Sequence, residues 1–149
     1  MANSQAVVTS FKAEKLNGIH AMSTSVVRGT TAADTWKAAL YLTTATVNAS
    51  TTAYSATNEA SGTGYTAGGV TFTWIAPSTT GTTAFATPSA SFAWTALTAG
   101  PFDCVLLYNS TQGNKAMQAL TFGAQTITAG NFSLTMPTND STNALYRTA

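Results

Sequence analysis

His20 is the only histidine in the chain, so a serine or cysteine nucleophile activated by an imidazole would have to lie beside it. The sequence contains no nucleophile elbow of the form Gly-x-Ser-x-Gly. His20 stands between Ile19 and Ala21, two apolar residues just after a glycine. We therefore predict that His20 is a packed or hydrogen-bonded structural residue rather than a catalytic base.

Cys104 is the only cysteine, which excludes an internal disulfide and a zinc site built from several cysteines. No thiol-protease signature surrounds it, and the apolar run Val105-Leu106-Leu107 follows it directly. Free cysteines in such surroundings are usually buried and behave as small apolar side chains. The sequence therefore predicts an inert, buried thiol.

The carboxylates are few and far apart along the chain: Glu14, Asp34, Glu59, Asp103 and Asp140. A glycosidase needs two carboxyl groups about 5–10 Å apart, and the sequence leaves such a pair open. Hydrolase clefts usually hold further charged and polar substrate contacts, of which this chain has few. One histidine and scattered acids give no transition-metal motif either. We expect no catalytic residue, metal or cofactor. A small hydrolase is kept as an alternative hypothesis, which predicts turnover that is lost in His20→Ala or in a carboxylate variant.

Residues 62–67, Gly-Thr-Gly-Tyr-Thr-Ala, match the Gly-x-Gly-x-x-Ala form of the dinucleotide-binding fingerprint. That motif works only between a strand and a helix whose N-terminus faces the pyrophosphate. Here the strand-like residues Val70-Thr71-Phe72 follow instead. We therefore interpret these glycines as turn residues.

The chain has an unusually low charge: 7% of its residues are charged, against about 25% in a typical globular protein. Its hydrophobic fraction of 44% is ordinary, so it is expected to fold with a surface of hydroxyl and amide groups. A net charge of +1 gives copies of the chain little mutual repulsion, which favours assembly; the alternative is an ordinary monomer with a threonine-rich surface. Six basic residues offer no electrostatic footprint for nucleic acid or a membrane surface. No apolar run approaches the roughly 18 residues of a spanning helix, and the first residues do not resemble a secretory signal.

Short apolar stretches separated by Gly, Asn, Ser and Thr predict an all-β fold, an antiparallel sandwich or jelly roll of about seven or eight short strands. Strands are expected at 34–42, 70–75, 90–95, 103–108, 115–122, 126–128, 132–136 and 143–147, with hairpin turns at 109–114 and 129–131. Residues 43–67 are predicted to be a long loop and 76–87 a solvated segment. One short helix is expected at 11–16, capped by Thr9-Ser10 and ended by Asn17-Gly18.

Within one domain we expect two parts: an N-terminal segment, residues 1–22, that acts as a contact arm, and a single β-domain, residues 23–149. Among the aromatic residues, Trp74 and Trp94 lie in strand patterns and are predicted to be core. Tyr54 and Tyr65 lie in the long loop, where we expect their rings to stack on the domain or on a neighbouring subunit.

The sequence Asn-Glu-Ala-Ser-Gly-Thr-Gly-Tyr at 58–65 is the most specific part of a wider resemblance, which runs in order through 10–20, 34–41, 54–69, 107–116 and 143–147. In these stretches the chain resembles a family of small virion proteins of tailed bacteriophages. The ends and residues 76–101 do not match. The resemblance implies a head-decoration (cement) or fibre-type component and no catalytic residues.

The resemblance favours a capsid decoration protein that binds the outside of the phage head as a symmetric homo-oligomer, with the major capsid protein and its own copies as partners. It would be made in the bacterial cytoplasm and reside on the particle surface. The alternative is a tail- or head-fibre module that binds host-surface glycan through Tyr54 and Tyr65. The residues expected to make assembly contacts are Phe11, Lys12, Leu16, Tyr54, Asn58, Glu59 and Tyr65.

Overall fold

A computed structural model describes residues 3–16, 19–22 and 33–148, with the side chains of 12–14 and 16 left out. These residues form eight strands and one helix: β1 Ala6–Val7, α1 Thr9–Leu16, β2 Trp36–Leu42, β3 Val70–Phe72, β4 Ser78–Thr80, β5 Thr83–Ala86, β6 Phe92–Asn109, β7 Lys115–Leu134 and β8 Tyr146–Thr148. They build a five-stranded antiparallel sheet in the order β1-β7-β6-β2-β3 and a three-stranded antiparallel sheet in the order β4-β5-β8. The predicted all-β class with one short N-terminal helix is confirmed.

Strand β2 lies inside the larger sheet, between β6 and β3. The alternating residues Trp36, Ala38 and Leu40 are buried as predicted. Ala39 and Tyr41 are buried too, so the expected half-buried strand is covered on both faces. Tyr41 lies under the long loop, where its hydroxyl donates to the carbonyl of Ser55. The alternating pattern could not show this cover, because the loop that provides it comes later in the chain.

Strands β6 and β7 form a long hairpin, and here the sequence prediction was partly wrong. The turn at 109–114 is confirmed. The strands predicted at 90–95 and 103–108 are parts of one strand, β6, which has 18 residues, and β7 continues for 20 residues. The predicted second turn at 129–131 therefore does not exist, because Gly130 pairs with Leu97 in the same ladder. Several register shifts absorb the turn-like residues as bulges, with Ala96 and Ala129 at positive φ.

The segment 76–87, predicted to be solvated, contains strands β4 and β5. All of β4 is exposed, whereas β5 buries Phe85 and Ala86. A threonine-rich stretch is easily predicted to be a polar loop, yet threonine also favours β-strands. Strand β8 pairs with β5, which confirms that the C-terminal residues close a sheet, although the strand begins three residues later than predicted.

The N-terminal segment is built into the larger sheet. Strand β1 pairs with β7, and Val8 and Phe11 are almost fully buried. Helix α1 begins at Thr9, two residues before the prediction, and the predicted stop at Asn17-Gly18 lies outside the described residues. The ring of Phe11 meets the rings of His20, Trp36 and Tyr146. Whether residues 1–22 also contact a partner stays a prediction.

Across the ranges that the structure describes, no helix has the length and apolar character needed to cross a membrane.

Candidate functional site

The loop between β2 and β3 is organised around the buried carboxylate of Glu59, which is 9% exposed. One carboxylate oxygen, Oε2, accepts a hydrogen bond from the hydroxyl of Tyr54 at 2.6 Å. The other, Oε1, accepts from the hydroxyl of Tyr65 at 2.6 Å and from the backbone N–H of Gly68 at 2.7 Å. Three donors thus satisfy a charge that burial would otherwise make costly.

The tyrosines that bind Glu59 also join the loop to the sheet. The hydroxyl of Tyr65 accepts a hydrogen bond from the backbone N–H of Leu40 in β2 at 3.1 Å. The ring of Tyr54 stacks on that of Tyr108 in β6, with centroids 4.7 Å apart and planes 15° from parallel. Tyr108 in turn donates from its hydroxyl to the carbonyl of Gly68 at 2.8 Å. We call Glu59 with Tyr41, Tyr54, Tyr65 and Tyr108 the tyrosine cluster.

The tyrosine cluster holds its phenols in the neutral form. Burial raises the pKa of Tyr41 and of Tyr108 to about 12, and the nearby charge of Glu59 acts in the same direction. Burial and the hydrogen bonds to Glu59 raise the pKa of Tyr54 and Tyr65 as well. Phenols that remain protonated act as hydrogen-bond donors rather than as bases or nucleophiles, so the cluster is suited to holding the loop in place.

Two glycines of the loop allow close contact between backbones. A Cβ atom on Gly62 would lie 2.0 Å from the carbonyl oxygen of Thr98, and one on Gly69 would lie 1.9 Å from that of Ala38. Both glycines also have a positive φ, 139° and 74°. Since strand β3 follows the Gly-x-Gly-x-x-Ala stretch where a dinucleotide site needs a helix, the turn interpretation of these glycines is confirmed.

A second buried carboxylate, that of Asp34, joins parts of the chain that are distant in sequence. Its Oδ2 accepts from the backbone N–H of Ala21 at 2.6 Å and from the side-chain amide of Asn109 at 2.8 Å. Its Oδ1 accepts from the side-chain amide of Gln112 at 3.1 Å. Asp34 therefore connects the segment before β2 to the turn of the β6–β7 hairpin.

His20 lies beside this second carboxylate site. Its Nδ1 is 3.0 Å from the amide nitrogen of Asn109, and its ring centroid is 4.7 Å from that of Phe11 and 5.6 Å from that of Trp36. The packed, hydrogen-bonded histidine predicted from the sequence is confirmed.

Cys104 is fully buried in β6. Burial, with a smaller contribution from the charge of Asp103, raises the pKa of its thiol to about 12. The predicted buried thiol is confirmed, and it remains protonated under ordinary conditions.

The other acids found in the described segments have partners of their own. Asp103 accepts a hydrogen bond from the side chain of Asn3 at 2.6 Å, and Asp140 accepts from the backbone N–H groups of Thr142 and Asn143. The hydrogen bonds of Asn143 and Thr142 lower the pKa of Asp140. Among the same segments, no group of three or more histidine, cysteine or acidic side chains is placed to hold a metal ion.

The structure brings together three of the residues predicted to make assembly contacts: Tyr54, Glu59 and Tyr65. Asn58 is exposed beside them, at φ 59°, and its carbonyl accepts from the N–H of Leu42. Phe11 is 1% exposed and belongs to the core. The side chains of Lys12 and Leu16 lie outside the described residues. A role of these residues in contacts with partners stays a prediction.

Sequence reasoning missed Tyr41, Tyr108 and Gly68 in the tyrosine cluster, and Asn109 and Gln112 at Asp34. The two tyrosines follow strand patterns, which predict core but not the direction of a hydroxyl. The spacing of Tyr54, Glu59 and Tyr65 within one loop was a usable signal, since two phenols near one acid are natural donors to it.

Comparison with protein-family models, with curated proteins and with solved structures finds no match to this chain.

Proposed function

We propose that the chain is a structural protein of a bacteriophage particle, a decoration protein that binds the outer face of the head through the major capsid protein and its own copies. One observation carries this proposal. The stretch in which the sequence most specifically resembles phage virion proteins, 58–65, contains Glu59 and Tyr65, which bond to each other, and it also hydrogen-bonds to Leu40 and Leu42 of β2. The proposal thus assigns the most specific part of the resemblance to residues that hold the loop in place.

The loop is suited to binding a large surface. Its outward positions are small and uncharged, for instance Ser55, Thr57, Ser61 and Thr66, all of them exposed. An interface made by such residues buries no charge, so it avoids the desolvation penalty of an ion pair. Because the tyrosine cluster holds the loop in place, binding would order little additional chain.

Attachment to a head would be multivalent. A shell offers many identical sites, and several linked copies bind with an effective concentration that multiplies modest individual affinities. A chain with net charge +1 can form such arrays without strong repulsion between neighbours.

The glycan-binding alternative depends on Tyr54 and Tyr65, and both hydroxyls already donate to Glu59. One face of the Tyr54 ring is stacked on Tyr108. A sugar platform needs a free ring face and free polar groups beside it. These contacts support the decoration proposal over the fibre proposal.

The first test is to label purified particles of the encoding phage with a gold-conjugated antibody against this chain. Label spread over the head is expected. Label confined to the tail or to fibres would favour host recognition, and particles without label would overturn the virion assignment.

A second test uses heads that lack the protein. Purified chain should bind them, and the loop variant Thr57→Arg with Ser61→Arg should bind at least tenfold more weakly. The matched control is Thr79→Arg with Thr80→Arg on the exposed strand β4, which adds the same charge elsewhere. Equal binding by both variants would show that the loop does not face the head.

A further inference from the structure

The β6–β7 hairpin has two halves with different surroundings. Near its turn, β7 lies between β6 and β1, which pairs at Ala119 and Gln118. From Thr121 to Leu134, β6 is the only strand beside it among the described residues. The outer edge of β6 is covered in this half, because the N–H of Thr98 donates to Thr63 of the long loop. The far half of β7 is therefore one side of a two-stranded ribbon, an arrangement that is marginally stable without further packing.

One face of this ribbon is apolar and only partly covered. Five apolar side chains pack on the core from this face, and each is half-buried. We call them the β7 stripe: Phe122, Ile127, Phe132, Leu134 and Met136, the last of which lies just past the end of the strand.

The stripe packs on buried core rings. The ring of Phe132 lies 5.8 Å from that of Trp94 and 5.0 Å from that of Phe102, and both Trp94 and Phe102 are buried. On the opposite face of β7, Thr126, Thr128 and Ser133 are exposed. The ribbon thus has a hydroxyl face toward solvent and an apolar face that the described residues cover only in part.

The residues that neighbour the β7 stripe along the chain carry no charge. Every residue from Ala116 to Asn139 is uncharged. Proteins normally protect exposed apolar strands with lysine, with inward-pointing charge or with proline. The only such residue in β7 is Lys115 at its first position, next to the hairpin turn, and the half that carries the stripe has none. A surface of aromatic, aliphatic and methionine side chains without charge has the composition of an interface core.

The backbone decides how a partner would approach. The ladder between β6 and β7 shifts register several times between Trp94 and Cys104, and Ala129 has a positive φ. These bulges interrupt the free edge of β7, so a continuous added strand would find few regular partners. Face-to-face packing needs no such regularity, which makes the side chains of the stripe the contact surface.

We propose that the β7 stripe packs against the same stripe of a second copy of this chain. Two identical charge-free surfaces meet without like charges and without removing an ion from water, whereas a charged partner would lose its hydration there. This inference rests on the proposed assembly function and names the surface that joins its copies.

The size of the stripe sets the strength of the contact. Thirteen strand residues span at most about 40 Å, and two strands are about 10 Å wide, so each copy would contribute on the order of 400 Å². That is about half of what each partner contributes to a standard interface. The pair is therefore reversible, with a dissociation constant on the order of micromolar or weaker in free solution.

The test is sedimentation equilibrium of the purified full chain from about 1 to 300 µM, with no other phage component present. The average mass of the wild type is expected to rise with concentration. The variant Leu134→Lys with Met136→Lys should stay monomeric, its dissociation constant raised at least 30-fold. The matched control, Ser133→Lys with Thr135→Lys, adds the same charge to the exposed face and should change the constant less than threefold. Circular dichroism checks that each variant is folded.

A second measurement keeps the test decisive if the lysine variant does not fold. Under mild oxidation, Leu134→Cys should give a covalent pair of chains, whereas Ser133→Cys should not; the native Cys104 is buried and does not interfere. A wild type that is monomeric throughout, or equal cross-linking from both positions, overturns the proposal. A monomer that still labels phage heads overturns this inference alone, and a dimer that labels no particle overturns the proposed function alone.

Discussion

Glu59 and Asp34 are both buried carboxylates in a chain that has only five acidic residues, yet their partners come from very different places. All three donors to Glu59 lie within nine residues of it. Among the described residues, three donors to Asp34 are 13, 75 and 78 residues away. The first carboxylate shapes one loop, and the second joins segments that only the finished fold brings together.

The chemistry of the donors differs too. Tyrosine brings a large apolar ring with its hydroxyl, so the donors to Glu59 also supply its burial. The amides around Asp34 bring little apolar surface, and one of them, that of Asn109, also contacts the ring of His20. A chain with little charge has thus placed two of its acids where each organises many polar groups.

The largest effect is expected from Glu59→Ala, which leaves two phenols and one backbone N–H without their acceptor. We expect a loss of about 3–5 kcal/mol in the free energy of unfolding. Denaturant titration measures the loss, and hydrogen exchange should show faster exchange in residues 54–69. Glu59→Gln keeps the shape of the side chain and should lower the free energy of unfolding less. A loss below about 1 kcal/mol for the alanine variant would show that Glu59 does not hold the tyrosine cluster together.

Asp34→Asn should cost about 2 kcal/mol, because one acceptor oxygen becomes an amide that faces the donors of Ala21 and Asn109. Exchange should quicken at Ala21 and Gln112 together, since the carboxylate joins them. Faster exchange confined to one of the two segments would show that Asp34 does not couple them.

Tyr65→Phe and Tyr54→Phe separate the two bonds to Glu59. The Tyr65 hydroxyl also accepts from Leu40, so its removal breaks two hydrogen bonds and should cost about 2 kcal/mol. Tyr54→Phe breaks one and keeps the stack on Tyr108, with an expected cost of about 1 kcal/mol. Thermal unfolding of the two variants side by side measures the order, and the reverse order would argue against the bond to β2.

The smallest effect concerns alkaline pH. The pKa values of Tyr41 and Tyr108 are raised from 10.0 to about 12, so the fold favours the neutral phenols. This stabilisation is complete below pH 10 and is lost as the pH rises from 10 toward 12. Unfolding midpoints measured from pH 8 to 10.5 should fall only near the upper end. The unfolding midpoint of the Tyr65→Phe variant should fall less over this range, because the variant lacks one phenol whose pKa is raised. Equal dependence of the midpoint on pH in the two proteins would contradict the raised pKa of Tyr65.

Local pattern predicted much of the fold, and the failures have a common cause. Alternation located β2 and β3, and the turn at 109–114 followed from its residues. The residues at 129–131 were predicted to be a hairpin turn, but a glycine becomes part of a turn or of a bulge according to the strand opposite it. That information lies some thirty residues away.

The candidate sites show the same limit. Tyr54, Glu59 and Tyr65 could be grouped because one loop contains them. The bond between Asp34 and Asn109 spans 75 residues, and no spacing rule could reveal it. Phe11 was expected at a contact with a partner, and its place in the core depends on Trp36, which is 25 residues further along.

The long hairpin also has a kinetic consequence. Strands β6 and β7 are joined by five residues, and such hairpins form on the order of microseconds. Strand β2 must find β6 across a separation of sixty residues between Leu42 and Phe102, so this pairing should set the folding rate. We expect the loop of Glu59 to close after this pairing has formed. Changes in the hairpin turn should therefore slow refolding, whereas changes at Glu59 should mainly speed unfolding.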